Sequence, residues 1–214
     1  SKGNGWKTGV TLVDINQDGW LDIYVCYSGD GDEASRKNRL YINQKNFQFV
    51  EKASQFGLDL PTNSTQASFF DYDKDGDLDC FLLNHSIKDY KRFDASVLKS
   101  QRDPQAGDRL LRNDHGRFID VSEQAHIKGN PLGFGLGIAI ADINQDGWPD
   151  IYVSNDYIEQ DYLYINQKDG TFSDQLETSV GHLSQFSMGN EVVDINNDGL
   201  PDILTLDMLP EDNR

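Results

Sequence analysis

Residues Asp14 to Val25 read DINQDGWLDIYV, and the spelling returns three times: DYDKDGDLDCFL from Asp71, DINQDGWPDIYV from Asp142 and DINNDGLPDILT from Asp194. Counting from the first Asp of each copy, oxygen-bearing side chains fill positions 1, 3, 5 and 9. Gly fills position 6, and a strand-like apolar run follows. The ligand sets are Asp14, Asn16, Asp18 and Asp22; Asp71, Asp73, Asp75 and Asp79; Asp142, Asn144, Asp146 and Asp150; and Asp194, Asn196, Asp198 and Asp202. Alternate residues of a tight turn can aim their oxygens at one point, and the Gly lets the backbone fold back sharply. The position-7 carbonyls of Trp20, Asp77, Trp148 and Leu200 would add a further ligand each. These four cassettes, 14–22, 71–79, 142–150 and 194–202, therefore read as loops around a hard cation.

Calcium suits that donor set best, because it takes about six to eight oxygens in irregular geometry, whereas magnesium demands a compact octahedron. Zinc would call for His or Cys ligands. An EF-hand would need a bidentate Glu at position 12, where this chain has Val25, Leu82, Val153 and Thr205. A metal-free hairpin turn is the bland alternative for one copy, but not for four with the same spacing. The second cassette, with four carboxylates and the adjacent Asp77, is expected to bind most tightly. The formal net charge of −17 then reads largely as stored ligand charge, and four divalent cations would bring it to −9. No basic stripe offers a nucleic acid its counter-charge. No run approaches the length of a membrane span.

A second landmark follows the first three cassettes: Leu40-Tyr41-Ile42-Asn43, Leu110-Leu111-Arg112-Asn113 and Leu163-Tyr164-Ile165-Asn166, each trailed by an aromatic at Phe49, Phe118 or Phe172. From landmark Asn to next cassette the spacing is 28, 29 and 28 residues; from cassette to its own landmark it is 29, 42 and 24. One half of the repeat is fixed in length and the other absorbs the variation, as when loops grow from one face of a repeated unit. Val10–Val13, Ile23–Cys26, Leu40–Ile42 and Gln48–Val50 are strand candidates in the first unit. Ile138–Ala141 and Ile151–Val153 repeat the first two, with apolar runs that suggest cover on both faces. Ser122–Ile127 is at most a turn. Four strands per unit, repeated, predict an all-β chain and a β-propeller. The expectation is one partial propeller over 1–214 with about three and a half blades, the rest of the ring coming from the same parent chain. Completion of the ring by another chain is the less favoured alternative.

These residues resemble the FG-GAP/VCBS repeats, the calcium-loop propeller repeats of integrin α-chains and many secreted bacterial proteins. Phe134-Gly135 ahead of Ala139-Ile140-Ala141-Asp142 supplies the FG, although no Gly-Ala-Pro follows Ile151-Tyr152-Val153. Phe69-Phe70-Asp71-Tyr72-Asp73 and Ser187-Met188-Gly189 look closer to the bacterial VCBS proteins related to cartilage acidic protein, which often carry an ASPIC/UnbV module. The resemblance implies secretion and a calcium-stabilised propeller, placed outside the cell, on its surface or in the periplasm.

Other candidates are weaker. The insert His85–Gly107 carries Lys88, Lys91, Arg92, Lys99 and Arg102 against Asp89, Asp94 and Asp103, with Tyr90 and Phe93 among them. It is either a docking loop for a protein or anionic glycan or a solvated surface loop. Trp20 and Trp148 could stack on sugars, but packing against the next blade is the favoured reading. Asn84, His85, Asn155, Asp156 and Asp207 could converge near the axis, or simply satisfy strand ends. Gly133-Phe134-Gly135-Leu136-Gly137 reads as a turn, not a nucleotide cradle. Asn63 and Asn84 fit glycosylation sequons, and a Cys26–Cys80 disulfide is possible but disfavoured. The four histidines form no metal-ligand spacing, and no nucleophile elbow, phosphate loop or zincin motif is present. No catalytic residue is nominated. The leading expectation is a non-catalytic, calcium-bound interaction scaffold; the alternative is a carbohydrate-active propeller, either a lectin or a polysaccharide lyase or hydrolase.

Overall fold

Each cassette forms the turn between two antiparallel strands, and the register is the same in all four. Val13 pairs with Asp22, Phe70 with Asp79, Ala141 with Asp150 and Val193 with Asp202. The computed structural model describes residues 5–88 and 95–208. Its strands are β1 (Trp6–Val13), β2 (Asp22–Ser28), β3 (Arg39–Asn43), β4 (Phe49–Glu51), β5 (Ser64–Phe70), β6 (Asp79–Asn84) and β7 (Arg109–Asp114). They continue as β8 (Arg117–Asp120), β9 (Gly135–Ala141), β10 (Asp150–Asn155), β11 (Tyr162–Asn166), β12 (Phe172–Asp174), β13 (Ser187–Val193) and β14 (Asp202–Asp207). Three four-stranded sheets follow chain order, β1 to β4, β5 to β8 and β9 to β12, and β13 pairs with β14 in a fourth. The helices among the described residues are α1 (Glu33–Arg36), α2 (Ala53–Phe56), α3 (Ala95–Lys99) and α4 (Leu176–Ser179), each about one turn long. None is long and apolar enough to cross a membrane.

Successive first strands meet between sheets: β1 lies against β5, β5 against β9 and β9 against β13. That is the radial arrangement of a β-propeller, with the first strand of each blade innermost. At the end away from the cassettes each first strand carries a bulge opposite its partner. The bulged residue reaches the next blade in two cases. Thr8 Oγ1 donates to Ser64 O at 2.6 Å, and Thr65 Oγ1 to Gly135 O at 2.9 Å. Gly135 and Gly137 lie inside β9, which corrects their reading as a turn. A Cβ on Gly135 would sit 2.4 Å from the Leu83 side chain, and one on Gly137 would sit 2.9 Å from Gly189 Cα. The glycines let inner strands approach.

The unbroken apolar runs arise because central strands are covered on both faces. Cys80 and Leu82 of β6 pack toward the first blade with Tyr24, Leu40 and Ile42, while Phe81 and Leu83 pack toward the third with Ile151, Val153 and Tyr164. Tyr152 of β10 faces the fourth sheet with Leu163 and Ile165. The trailing aromatics explain themselves in the same way: Phe118 joins the first interface and Phe172 the second, each reaching back to the preceding blade. Cys26 and Cys80 share the first cluster as free thiols, with burial pushing Cys26 up to about 12.

The landmark Asn is a clamp. Its backbone N–H donates to the position-9 carboxylate: Asn43 to Asp22 at 2.7 Å, Asn113 to Asp79 at 2.8 Å and Asn166 to Asp150 at 2.8 Å. Its side-chain amide donates to the position-8 carbonyl, of Leu21, Leu78 or Pro149. Its Oδ1 accepts from the β3–β4 type hairpin, at Lys45 N, Gly116 N or Lys168 N. Asn166 also donates to Tyr72 O of the preceding blade at 2.9 Å. Asn166→Ala should therefore cost about 2–3 kcal/mol by orphaning these buried groups, and lower the melting midpoint by roughly 5–10 °C. Thermal unfolding followed by circular dichroism checks this, and the more exposed Asn43→Ala should lose less.

A second clamp closes the opposite end of each central strand. Asn38 Oδ1 accepts Tyr27 N, Asp108 Oδ1 accepts Asn84 N and Asp161 Oδ1 accepts Asn155 N, all within 2.8–2.9 Å. Burial raises Asp108 to about 7, against lowering by Asn84 N–H, Arg102 and Arg109. A carboxyl raised in the folded state stabilises fully below its unfolded pKa, about 3.8, and loses that contribution as pH climbs through about 7. The first blade shows the remedy, since Asn38 makes the same bond without charge. Asp108→Asn should match wild-type stability near pH 4 and exceed it above pH 7 in denaturant titrations across that range.

Candidate metal centre

Within each cassette the side chains first organise the backbone. The position-1 Asp accepts the N–H groups of positions 5 and 6: Asp14 from Asp18 and Gly19, Asp71 from Asp75 and Gly76, Asp142 from Asp146 and Gly147, Asp194 from Asp198 and Gly199. The position-5 Asp accepts the position-7 N–H, from Trp20, Asp77, Trp148 or Leu200. The position-9 Asp accepts the position-2 N–H, from Ile15, Tyr72, Ile143 or Ile195. Position 6 has φ between 84° and 96° in all four loops, a region that favours glycine. The 1-5-6-9 part of the pattern is thus a folding instruction as well as a candidate ligand set.

Position 3 separates the loops. Asn16, Asn144 and Asn196 each donate Nδ2 to the position-5 carboxylate, at 3.1, 2.9 and 3.0 Å. Asp73 cannot donate, so the second loop lacks this internal amide bond and carries one more carboxylate. Oxygens of Asp71, Asp73 and Asp79 lie within 4.8 Å of one another. Asp73 Oδ1 and Asp77 Oδ1 are buried without a hydrogen-bond partner. Burial, then repulsion from Asp75, raises the pKa of both Asp73 and Asp77, and burial raises Asp79 to about 7. A cluster of three carboxylates, one of which, Asp73, has a buried oxygen without a partner, fits a hard cation. Burial raises Asp22 and Asp150 as well. Beside the third loop Lys168 Nζ stands 3.2 Å from Asp146 Oδ2, a cation brought to that ligand set from outside the cassette.

The remaining candidates resolve mostly into structure. Trp148 is half-buried beneath Lys74 of the preceding cassette, with Nζ 4.7 Å from the ring centroid. Trp20 is 45% exposed, with Lys45 Nζ 5.9 Å from its ring centroid. Asn84 and Asn155 are buried strand-end donors, to Gly107 O and Gln160 O. Asp156 accepts Tyr157 N, and Asp207 accepts Ser184 Oγ. His85 Nε2 lies 2.5 Å from Ser28 Oγ, with its ring edge-on to Phe134. Both sequon asparagines, Asn63 and Asn84, are buried, which removes them as surface acceptors.

The insert is less free than its charge suggests. Lys88 pairs with Asp103, Lys99 with the buried Glu159, and Arg102 donates to Ile127 O and Asp108 O. Asp89, Tyr90, Lys91, Arg92, Phe93 and Asp94 lie outside the described residues. Sequence reasoning missed the far-end clamp of Asn38, Asp108 and Asp161, although an Asn or Asp stands two residues before each landmark Leu.

Comparison with known proteins agrees with this architecture. The FG-GAP-like repeat matches residues 14–82 and 142–205. Mouse integrin alpha-3 is 33% identical over 107 residues, covering 44% of this chain and 10% of the relative. Human integrin alpha-7 is 37% identical over 82 residues, covering 33% of this chain and 7% of the relative. The chain spans about a tenth of the length of these relatives. A solved lectin from Agrocybe aegerita, described as recognising non-reducing terminal N-acetylglucosamine, superposes with a TM-score of 0.41 at 16% identity, over 91% of this chain and 45% of that one. With repeat matches over more than half of its length, the chain belongs to the FG-GAP-like repeat family.

Proposed function

We propose that this chain is a calcium-stabilised propeller segment that serves as a non-catalytic interaction scaffold outside the cell, on its surface or in the periplasm. The observation that carries the reading is the second cassette, where the carboxylates of Asp71, Asp73 and Asp79 converge and Asp73 has a buried oxygen with no partner. The other three loops share its backbone hydrogen bonding, which supports four sites with the ligands named from the sequence. A bound calcium would supply charge neutralisation there. Asp71, Asp73, Asp75 and Asp79 would hold it with the Asp77 carbonyl, and the corresponding residues would do so in the other loops. Extracellular calcium modules bind with Kd on the order of 10⁻⁴–10⁻³ M, matched to millimolar calcium and not to cytosol.

The partner surface on this reading is the face opposite the cassettes. There the β2–β3 type connectors vary in length and expose Ile87, Tyr157 and Ile158. A protein or glycan would dock on these loops while calcium holds the other face. Apolar side chains exposed on the outer faces, Trp6, Val10 and Leu12 of β1 and Leu204 and Leu206 of β14, support further blades from the same parent chain. Within the repeat family, Phe69–Asp73 and Ser187–Gly189 favour a place beside the VCBS proteins related to cartilage acidic protein. A glycan array followed by an activity screen on acidic polysaccharides separates this scaffold from a lectin or a polysaccharide-cleaving enzyme.

Calcium removal gives the main test. Four sites half-saturated near 0.5 mM contribute about 4 kcal/mol together at 2 mM calcium, so chelation should lower the midpoint by roughly 8–16 °C. An unchanged midpoint, with no calcium found by elemental analysis, would sink the proposal. Asp73→Ala should act with opposite signs: one fewer calcium bound and a lower midpoint with calcium, but a higher midpoint in chelator, where repulsion is relieved. Paired melts with and without calcium measure both.

A further inference from the structure

The fourth residue of each cassette contributes nothing to the 1-3-5-9 pattern, yet its backbone is held in the left-handed region. φ is 56° at Gln17, 60° at Lys74, 59° at Gln145 and 61° at Asn197. This is an uncommon state for any residue but glycine. Where a following cassette is present, the position-4 side chain reaches its tip. Gln17 Nε2 donates to Gly76 O at 3.2 Å, and Gln145 Nε2 donates to Gly199 O at 2.9 Å. At the middle junction Lys74 Nζ stands over Trp148, and 3.9 Å from where a Cβ on Gly147 would sit. All three junctions use the same donor position and the same receiving tip.

The receiving peptide lies at the centre of the next loop. Gly76 O shares its peptide with Asp77 N, which Asp75 Oδ1 holds at 3.1 Å. Gly199 O shares its peptide with Leu200 N, which Asp198 Oδ1 holds at 2.8 Å. Each amide link therefore docks on the unit joining the position-5 carboxylate to the residue whose carbonyl would be the position-7 ligand. Ordering one loop places its amide against that unit before the neighbour has a cation of its own.

We infer that the position-4 side chains couple neighbouring cassettes, so that a cation in one loop raises the affinity of the next; this rests on the calcium reading above. Coupling is favourable between the first and second and between the third and fourth loops. At the middle junction the Lys74 ammonium brings positive charge to a third loop that already holds Lys168 beside Asp146. Charge there opposes an incoming cation, so the chain divides into two coupled pairs. Both amide links are exposed to water, which puts the effect at the low end of site coupling, about three- to fivefold in affinity.

Hydrogen exchange read by mass spectrometry along a calcium titration reports each cassette through its own peptides. Gln145→Asn keeps a residue type that this position already holds at Asn197, but shortens the side chain out of reach. It should raise the calcium needed to protect the fourth cassette by about three- to fivefold, while the first pair keeps its midpoints as an internal control of folding. Lys74→Gln should tighten the third cassette by a similar factor. A fourth-cassette midpoint unmoved by Gln145→Asn, with calcium still protecting the loops, overturns the coupling and leaves the calcium reading standing. Absence of protection in every wild-type cassette overturns both.

Discussion

The position-9 carboxylate is the joint on which each blade depends. Asp22, Asp79 and Asp150 are fully buried, and each ties three segments together: the start of its own loop, the second strand and the end of the third strand. Burying an ionised carboxylate is costly unless its oxygens are satisfied. Two backbone N–H groups do that at Asp22 and Asp79 and three at Asp150, and the landmark Asn supplies one of them in every complete blade. The two sequence signatures are therefore one device seen twice. Asp202, whose sheet has no third strand among the described residues, is only partly buried and keeps the position-2 bond alone.

This accounts for what could be read from sequence. Strand pairing and the repeat of the blades follow from residues whose partners are local or sit at a fixed repeat spacing, whereas the one-turn helices were not read from the sequence. The run Ile151-Tyr152-Val153 says that both faces of β10 are covered, and the structure shows alternate residues entering two different cores. Longer-range features were not legible. Nothing in the insert's composition indicated that Lys99 would meet a buried Glu159 or that Arg102 would turn inward to backbone carbonyls. Glycines inside β9 looked like a turn because local propensity cannot register the approach of a neighbouring blade. Asn38, Asp108 and Asp161 stood in plain view at one repeat position, but an Asn/Asp alternation before an apolar run has several local explanations.

The candidate site divides in the same way. Its ligand types were legible because each loop is built from nine consecutive residues, and the backbone bonds of positions 1, 5 and 9 recur in all four. Part of what separates the loops is spelled within them: Asp73 cannot supply the amide donor that Asn16, Asn144 and Asn196 give to position 5. The rest depends on neighbours, since Lys168 reaches Asp146 from a hairpin beyond the landmark and Lys74 reaches Trp148 from the adjacent blade. Loops of nearly the same spelling therefore also differ in charge environment in ways that the spelling alone does not convey.

The two ends of the blades are consequently under opposite constraints. At the cassette end, nearly every polar group is committed: carboxylates to backbone N–H groups, landmark asparagines to carbonyls, and position-4 side chains to the next loop. A substitution there disturbs a joint, so this end has little freedom to acquire a partner. At the other end a single clamp per blade fixes the strand terminus, and the connector beyond it runs from the five residues between Asn155 and Asp161 to the 23 between Asn84 and Asp108. Length can change there without moving a strand, because the clamp residue rejoins the sheet at the same register. Recognition placed on those connectors would be free to vary while the scaffold stays constant. That separation is the physical reason to look for a partner opposite the acids, although the acids dominate the sequence.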